Sequence, residues 1–208
     1  MLKINKNSYL FILSTIFFLF AGWLAIAPLD RHDWLLENVL TVIFIIALML
    51  SYRSFSLSAT SYTFIFLFLL LHETGAHFTY AKVPYNTFFL EIFGFDLDAL
   101  LGFERNQFDR LVHFLYGVLL VYPIYEIFKK YTQLKHFWRW FTAVNLIMTT
   151  SMIFELFEWA AAEFFGGDLG IAYLGTQGDV WDAHKDMALA SLGALITMFI
   201  SFRLTSKK

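Results

Sequence analysis

Three pairs of ionisable side chains recur at helical spacing in the second half of the chain. The pairs are Asp109 with His113, Glu155 with Glu158, and Asp182 with Asp186. Side chains three or four residues apart lie on one face of an α-helix, so each pair presents two polar groups one above the other. Imidazole and carboxylate groups can together hold zinc, manganese, magnesium or calcium, and they can also act as general acid and base. The spacing predicts one site built from three helices.

All six paired residues are candidates for catalysis, and most of them are also candidate ligands of a divalent metal ion. The candidate ligands are His113, Asp109, Glu155, Asp182, Asp186 and His77. His77 follows His72 by five residues, which turns an ideal helix by roughly 140°. The two histidines therefore face one site only if their helix ends or bends at Gly75. No metal signature such as His-Glu-x-x-His is present, so the presence and identity of a metal stay open.

The composition is that of a membrane protein. Of the 208 residues, 59% are hydrophobic and only 15% are charged, whereas a soluble domain has about 25% charged residues. The 26 phenylalanines exceed what a soluble core of this size could hide. A net charge of -2 argues against a nucleic-acid partner. The absence of cysteine excludes disulfides and thiolate chemistry.

Six stretches approach the length of about 20 residues that a helix needs to cross a bilayer. They lie near 8–27, 35–51, 55–72, 107–128, 138–160 and 183–204. The first resembles a signal peptide, but residues 7–29 carry no charge, and such a run exceeds the usual signal core of about 7 to 15 residues. We therefore predict an all-α integral membrane protein, with residues 1–208 forming a single transmembrane helical domain and a bundle of about six transmembrane helices.

The segment 83–105, between the third and fourth predicted spans, is too apolar for a solvated loop. Its apolar residues are Phe88, Phe89, Leu90, Ile92, Phe93, Phe95, Leu97, Leu100, Leu101 and Phe103. Several of them have helical spacing, and Gly94 and Gly102 are expected breaks. We predict an interfacial segment on the outer membrane surface, acting either as a lid over the bundle or as a surface helix that only caps the fold.

The predicted spans also show that some acids must be immersed in the membrane. The uncharged runs 111–125, 140–154 and 187–202 contain 15, 15 and 16 residues, each roughly a turn short of a full crossing. Lysine and arginine can reach the interface on long side chains. The short side chains of Asp109, Glu155, Asp182 and Asp186 cannot, so these acids must face the bundle interior or a water-filled cavity. An ionisable group in that position is a functional hypothesis by default.

The distribution of charge predicts the orientation, because lysine and arginine favour the cytoplasmic side of a membrane. With the N-terminus inside, ten of the 15 basic residues fall on the inner side: Lys3, Lys6, Arg53, Lys129, Lys130, Lys135, Arg139, Arg203, Lys207 and Lys208. Of the 17 acids only Glu126 falls there, and His136 is the one histidine that does. We predict that both termini are cytoplasmic and that the polar pairs lie in the outer half.

Structural roles compete with these functional ones. Asn106 with Asp109 fits a helix cap, since such residues open helices. Arg110 could pair with a neighbouring acid, in which case the polar network would serve as glue between helices. A through-pathway for a solute would need polar residues in the inner half, where Glu126 and Asn145 are the clear candidates.

Four clusters resemble the YjdF-like bacterial inner-membrane family, a domain of unknown function, over almost the whole chain. The clusters are His77-Phe78-Thr79-Tyr80-Ala81-Lys82-Val83-Pro84; Asn106, Asp109-Arg110, His113-Phe114 and Gly117; Glu155 with Glu158-Trp159; and Gly175-Thr176-Gln177-Gly178-Asp179 with Trp181-Asp182 and Asp186-Met187. This resemblance implies a multi-pass protein of the bacterial inner (plasma) membrane and brings no established activity with it.

A weaker similarity is to the VanZ-like family, which is linked to glycopeptide resistance and carries Asp-Lys-x-x-His-Phe, Glu-x-x-Gln and Asp-x-x-x-Asn. The corresponding places here are Asp109-Arg110-x-x-His113-Phe114, Glu155-x-x-Glu158 and Asp182-x-x-x-Asp186. The three departures from the family pattern are Arg110 for Lys, Glu158 for Gln and Asp186 for Asn, and the last two add an acid. The shared placement implies one common site, but a resistance phenotype is not carried over.

Three functions are compatible with the sequence. The first is an outer-leaflet His/carboxylate site, with or without a divalent metal, that binds or acts on a lipid-linked or envelope substrate. The second is binding or transport of a small cation or polar solute, and the third is a structural membrane subunit without catalysis. Membrane lipid is the expected partner, and the bundle could also assemble as a homo-oligomer. The sequence leaves open the substrate and whether the protein is an enzyme.

Overall fold

The computed structural model describes residues 5–167, 170 and 174–205. Within these ranges the chain forms helices and no strand, which confirms the all-α prediction. The helices are α1 Lys6–Leu24, α2 Arg31–Ser51, α3 Ala59–His77, α4 Tyr85–Phe93, α5 Leu97–Leu101, α6 Phe108–Tyr131, α7 His136–Phe165 and α8 Asp182–Thr205. The lysines at positions 3, 207 and 208, which the orientation prediction uses, lie outside the described residues.

Five helices in the described part of the chain are long and apolar enough to cross a membrane. They are α1, α2, α6, α7 and residues Asp182–Arg203 of α8. The 19-residue α3 is a sixth helix of similar length. These helices confirm the prediction of an integral membrane protein with a bundle of about six long helices.

The structure extends or shifts several predicted helices, because polar residues near their ends are helical. Helix α2 begins before the predicted residue 35, since the Asp30 side chain accepts hydrogen bonds from the backbone N–H groups of His32 at 2.8 Å and Asp33 at 3.1 Å. The Asp33 N–H bond lowers the pKa of the Asp30 carboxyl. Helix α3 runs to His77 rather than to residue 72. The bundle therefore carries more acids and histidines on its helices than the predicted spans contain.

The bundle has an acidic end and a basic end. The acidic end is where α2, α6 and α8 begin and where α3 and α7 finish. The described basic residues of the other end are Lys6, Arg53, Lys129, Lys130, Lys135, Arg139 and Arg203. In the core between them, Trp140 of α7 is 1% exposed and stacks on Tyr125 of α6 with ring centroids 4.1 Å apart.

A cap at the basic end ties α3 to α6. The Glu126 carboxylate accepts hydrogen bonds from the Ser58 backbone N–H at 2.8 Å, from the Ser58 hydroxyl at 2.8 Å and from the Ser61 hydroxyl. Lys130 lies 3.3 Å away from the same carboxylate. Buried carboxylates need such donors, so Glu126 is fully engaged in starting α3.

Helices α6 and α8 cross with their backbones in close approach. A Cβ atom added to Gly117 would fall well inside contact distance of the Ala190 carbonyl oxygen, and one added to Gly193 would do the same at Phe114. Small residues at such crossings let membrane helices pack by direct backbone contact. This crossing places the first turns of α6 and α8, with their acids, side by side.

We expect Gly117→Ala to lower the free energy of unfolding by about 1–3 kcal/mol, the usual cost of overpacking a tight interface. Thermal unfolding in detergent measures the change. Gly22→Ala in α1 is the matched control, because nothing lies within 4 Å of an added Cβ there; it should leave stability unchanged or slightly higher. Wild-type stability of the Gly117 variant would contradict the close crossing.

The predicted interfacial segment forms two short helices, α4 and α5, between α3 and α6. Each ends where a glycine adopts positive φ, Gly94 at +74° and Gly102 at +68°, as the sequence predicts. Phenylalanines of α4 and of the turn that follows it contact one another in a ring cluster, and all of them except Phe89 are exposed. Its members are Phe88, Phe89, Phe93 and Phe95. Exposed aromatic rings of this kind suit the membrane interface.

Candidate functional site

The polar pairs of α6, α7 and α8 meet at the acidic end of the bundle. His113 lies one turn below Asp109 on α6, and its Nε2 is 3.6 Å from Asp109 Oδ1. The same Nε2 is 3.6 Å from Oε1 of Glu155 on α7. Asp109 lies in the first turn of α6, whose N-cap is Gln107. Asn106, the predicted cap, lies one residue earlier, and its side chain accepts a hydrogen bond from the Phe108 N–H at 3.0 Å.

Asp186 of α8 completes a compact ligand group with two residues of α6. One ligand atom from each of Asp109, His113 and Asp186 lies within 4.8 Å of the other two. His113 and Asp186 are buried, while Asp109 is half-buried. A nitrogen and two carboxylate oxygens at this spacing form a ligand set suited to a divalent cation. We call Asp109, His113, Asp186 and the neighbouring Glu155 the first acidic group.

Two carboxylate oxygens of the first acidic group have no hydrogen-bond partner among the described residues. They are Glu155 Oε1 and Asp186 Oδ1, on residues that are 9% and 2% exposed. Burying a carboxylate without a donor or a cation is costly. These oxygens are therefore available to a ligand that brings positive charge.

Asp182, a predicted metal ligand, is instead engaged by two arginines. Arg105 binds its two oxygens at 2.6 and 3.3 Å, and Arg110 lies 3.2 Å from Oδ1. Arg110 also forms an ion pair with Asp179, as the sequence allows for a neighbouring acid. The pKa of the Asp179 carboxyl falls to about 2 because Lys185 and Arg110 bind it. Since its charge is already balanced, we place Asp182 beside the first acidic group as the anchor of the arginines.

The remaining predicted site residues fall in different places. Glu158 lies within hydrogen-bonding reach of the Glu155 carboxyl, one turn nearer the end of α7. His77 is directed away from the group, since its Nδ1 lies 2.7 Å from the carbonyl oxygen of Leu24 in α1. The helix continues through Gly75 to His77, and His72 lines the cavity while His77 contacts α1. The five-residue rotation therefore separates the two histidines.

A cavity of about 400 Å³ runs from the first acidic group into the apolar half of the bundle. Its polar end carries the side chains of His72, Tyr80, Asp109, His113 and Glu158. The rest of the wall is mainly aliphatic and aromatic. That wall includes Leu40, Phe44, Leu48, Leu57, Ile65, Phe68, Leu69, Leu120, Ile124, Ile127, Ile153, Phe154 and Phe157, from α2, α3, α6 and α7, with Leu57 in the segment before α3. Helix α2 packs against α3, but it does not pack to a similar extent against α7.

Two features of the site were missed by the sequence reasoning. Arg105 was not singled out, because it lies in a loop and loop residues have no helical spacing. Asp33, Glu37 and Glu73 are also deeply buried, at 1%, 4% and 1% exposure. A signal existed for Glu37, since the uncharged run 38–52 is as short as those of the later helices.

These features define a class: a helical, multi-pass membrane protein with a carboxylate-rich interior at one end of its bundle. The chain belongs to the family described as "Predicted membrane protein (DUF2238)", which it matches over residues 9–207. It is 34% identical over 176 residues to the inner membrane protein YjdF of Escherichia coli (strain K12), covering 84% of this chain and 79% of the relative. The predicted family resemblance is thereby confirmed, while similarity to the VanZ-like family stays a prediction. No solved structure matches the chain.

Proposed function

We propose that the first acidic group holds a divalent cation and that this cation binds, or helps to transform, the headgroup of a lipid-linked or other amphiphilic envelope substrate. The observation that carries the proposal is the approach of Asp109, His113 and Asp186 ligand atoms to within 4.8 Å at the polar end of an apolar cavity. A cation there would neutralise buried acids and present a Lewis-acidic centre to a bound headgroup.

The unpartnered oxygens support a ligand site over a purely structural network. In a network that only holds helices together, each buried polar atom has a partner, because an unsatisfied one costs stability. Glu126 at the basic end fits that description, since all of its donors are in place. Glu155 and Asp186 do not, because each keeps a buried oxygen free of hydrogen bonds within the described chain.

The cavity supports an amphiphilic substrate. Its apolar length could hold an acyl or isoprenoid chain, while its polar end could hold a headgroup. The missing close packing between α2 and α7 offers a lateral route from the bilayer. By the positive-inside rule, the basic end faces the cytoplasm. The first acidic group then lies in the outer leaflet of the inner membrane, with both termini cytoplasmic.

Transport of a small cation or polar solute has less support. A pathway through the membrane would need free polar groups in the half nearer the basic end. Glu126 is engaged in capping α3, and the exposed Asn145 donates to the Phe141 carbonyl of its own helix at 2.7 Å. Neither residue provides a relay that continues from the first acidic group.

Metal content tests the proposal. Full-length protein purified without chelator should contain a divalent metal by elemental analysis, or bind manganese or zinc on calorimetric titration, because the first acidic group supplies nitrogen and oxygen ligands. His113→Ala should reduce that content well below the wild-type level. His184→Ala, an exposed histidine on α8, is the control and should leave it unchanged. If wild-type protein binds neither metal, or if both variants behave alike, the proposal fails.

A further inference from the structure

A second acidic group lies across the bundle from the first. It consists of Asp33 and Glu37, four residues apart on α2, and Glu73 on α3. The three side chains are 1%, 4% and 1% exposed. The structure thus buries three further carboxyl groups on α2 and α3, the two helices that contribute no residue to the first acidic group.

No cation in the described chain forms a direct ion pair with the second acidic group, although Lys82 acts on Asp33 electrostatically from beyond 4.0 Å. Asp33 Oδ1, Glu37 Oε2 and Glu73 Oε2 are buried and have no hydrogen-bond partner. The ion pairs of the described residues involve other acids, so no lysine, arginine or histidine lies within 4.0 Å of these carboxylates. Three acceptors without donors in a membrane-embedded position call for a ligand that brings N–H or O–H groups and positive charge.

The second acidic group lies next to residues of the cavity wall, although Asp33, Glu37 and Glu73 do not themselves line the cavity. Glu37 interacts electrostatically with Asp33, with Glu73 and also with Asp109 of the first acidic group. The neighbours of these acids line the cavity wall, since His72 precedes Glu73 and Thr41 lies one turn beyond Glu37. A headgroup at the polar end of this cavity would therefore lie beside the first acidic group and against the wall residues His72 and Thr41, next to which the second acidic group is buried.

We propose that the second acidic group binds the primary ammonium of an amine-bearing phospholipid headgroup. This inference rests on the proposed function: the phosphate lies toward the cation of the first acidic group, and the acyl chain fills the apolar cavity. The two charged parts of a zwitterionic headgroup then meet complementary partners on opposite sides, a cation on α6 and α8 and carboxylates on α2 and α3.

A second metal ion fits the second acidic group less well than an ammonium. In the described chain only Asp109, His113 and Asp186 bring three ligand atoms within 4.8 Å of one another. The three carboxylates of the second group are thus too widely spaced to share one ion. An ammonium carries its own three donors on a flexible headgroup and makes longer N–H···O bonds, so it can bind with one or two close carboxylates.

A primary amine also fits better than a quaternary one. A quaternary ammonium has no N–H group and is typically held by aromatic cages. It would leave the buried oxygens of Asp33, Glu37 and Glu73 without hydrogen bonds, whereas a primary ammonium satisfies acceptors and charge together. The expected order of binding is therefore phosphatidylethanolamine above phosphatidylcholine and phosphatidylglycerol.

Lipid competition tests the inference on the full chain. Wild-type protein in mixed micelles should retain phosphatidylethanolamine over phosphatidylglycerol of identical acyl chains by about tenfold, the ratio expected for one charge-assisted hydrogen bond. Native mass spectrometry of the retained lipid measures it. Glu37→Gln and Glu73→Gln should abolish the preference. The exposed Glu163→Gln on α7 is the matched control and should keep it.

Manganese affinity measured on the same samples separates this inference from the proposed function. The Glu37 and Glu73 variants should bind manganese like the wild type, which also shows that they are folded. Equal retention of the two lipids by the wild type, or an unchanged preference in either variant, would overturn the amine site even if manganese binds. Soluble O-phosphoethanolamine should bind far more weakly than the lipid; equal binding would overturn the lipid as the source of the amine.

Discussion

Asp182→Ala should lower the free energy of unfolding by about 3–5 kcal/mol, the typical loss when one partner of a buried ion pair is removed. Asp182 is 3% exposed and holds Arg105 at 2.6 Å and Arg110 at 3.2 Å. Without its carboxylate, Arg105 would lose its ion-pair partner and Arg110 would keep only Asp179, while Asp109 interacts with both arginines electrostatically. Arg105 also donates to the carbonyl of Thr176 at 2.6 Å, so the loop before α8 should loosen as well.

Unfolding of purified protein in detergent, followed by helical circular dichroism, measures this effect. Asp182→Asn should cost less than Asp182→Ala, because an amide oxygen still accepts from Arg105 although the charge is gone. Glu163→Ala removes an exposed acid at the same end of the bundle and serves as the control. A loss below about 1 kcal/mol for Asp182→Ala, the range of exposed ion pairs, would show that the arginines do not depend on this residue.

The fold could be predicted largely from the sequence because a membrane imposes two simple requirements. A crossing helix needs a long apolar run, and its backbone must satisfy its own hydrogen bonds. The ends of α2 and α3 were harder to predict. Residues such as Asp33 and Glu73 reduce the local hydropathy, yet they are helical because their side chains face the bundle interior rather than lipid.

The burial of the first acidic group within the bundle was also predictable. Short uncharged runs require Asp109, Glu155 and Asp186 to be immersed, and the structure buries or half-buries each of them. The same argument applied to residues 38–52 would have identified Glu37. Arg105 could not be found in this way, because spacing relates residues of one helix and does not reveal which cation a loop brings to an acid. For that reason Asp182 was predicted as a ligand, although Arg105 binds it.

The second large effect concerns Glu155 and Asp186, which we expect to serve one bound cation. Each keeps a buried oxygen that has no hydrogen bond to any described residue. Glu155 Oε1 lies 3.6 Å from His113 Nε2, and Asp186 belongs to the group whose ligand atoms lie within 4.8 Å. Glu155→Gln or Asp186→Asn alone should weaken manganese binding by about 100-fold or more, since even outer-shell partners of metal ligands are worth about 10- to 100-fold.

A double-mutant cycle on these two residues decides whether they share the ion. If they do, the variant with both substitutions should bind only slightly more weakly than either single one, because the first substitution has already disrupted the site. Asp182→Asn combined with Glu155→Gln provides the comparison: Asp182 is bound by Arg105 and Arg110, so its effect on manganese affinity should be small and additive. Thermal unfolding of every variant separates lost binding from lost stability. Additive losses for Glu155 and Asp186 would assign the two carboxylates to separate sites and refute a single cation in the first acidic group.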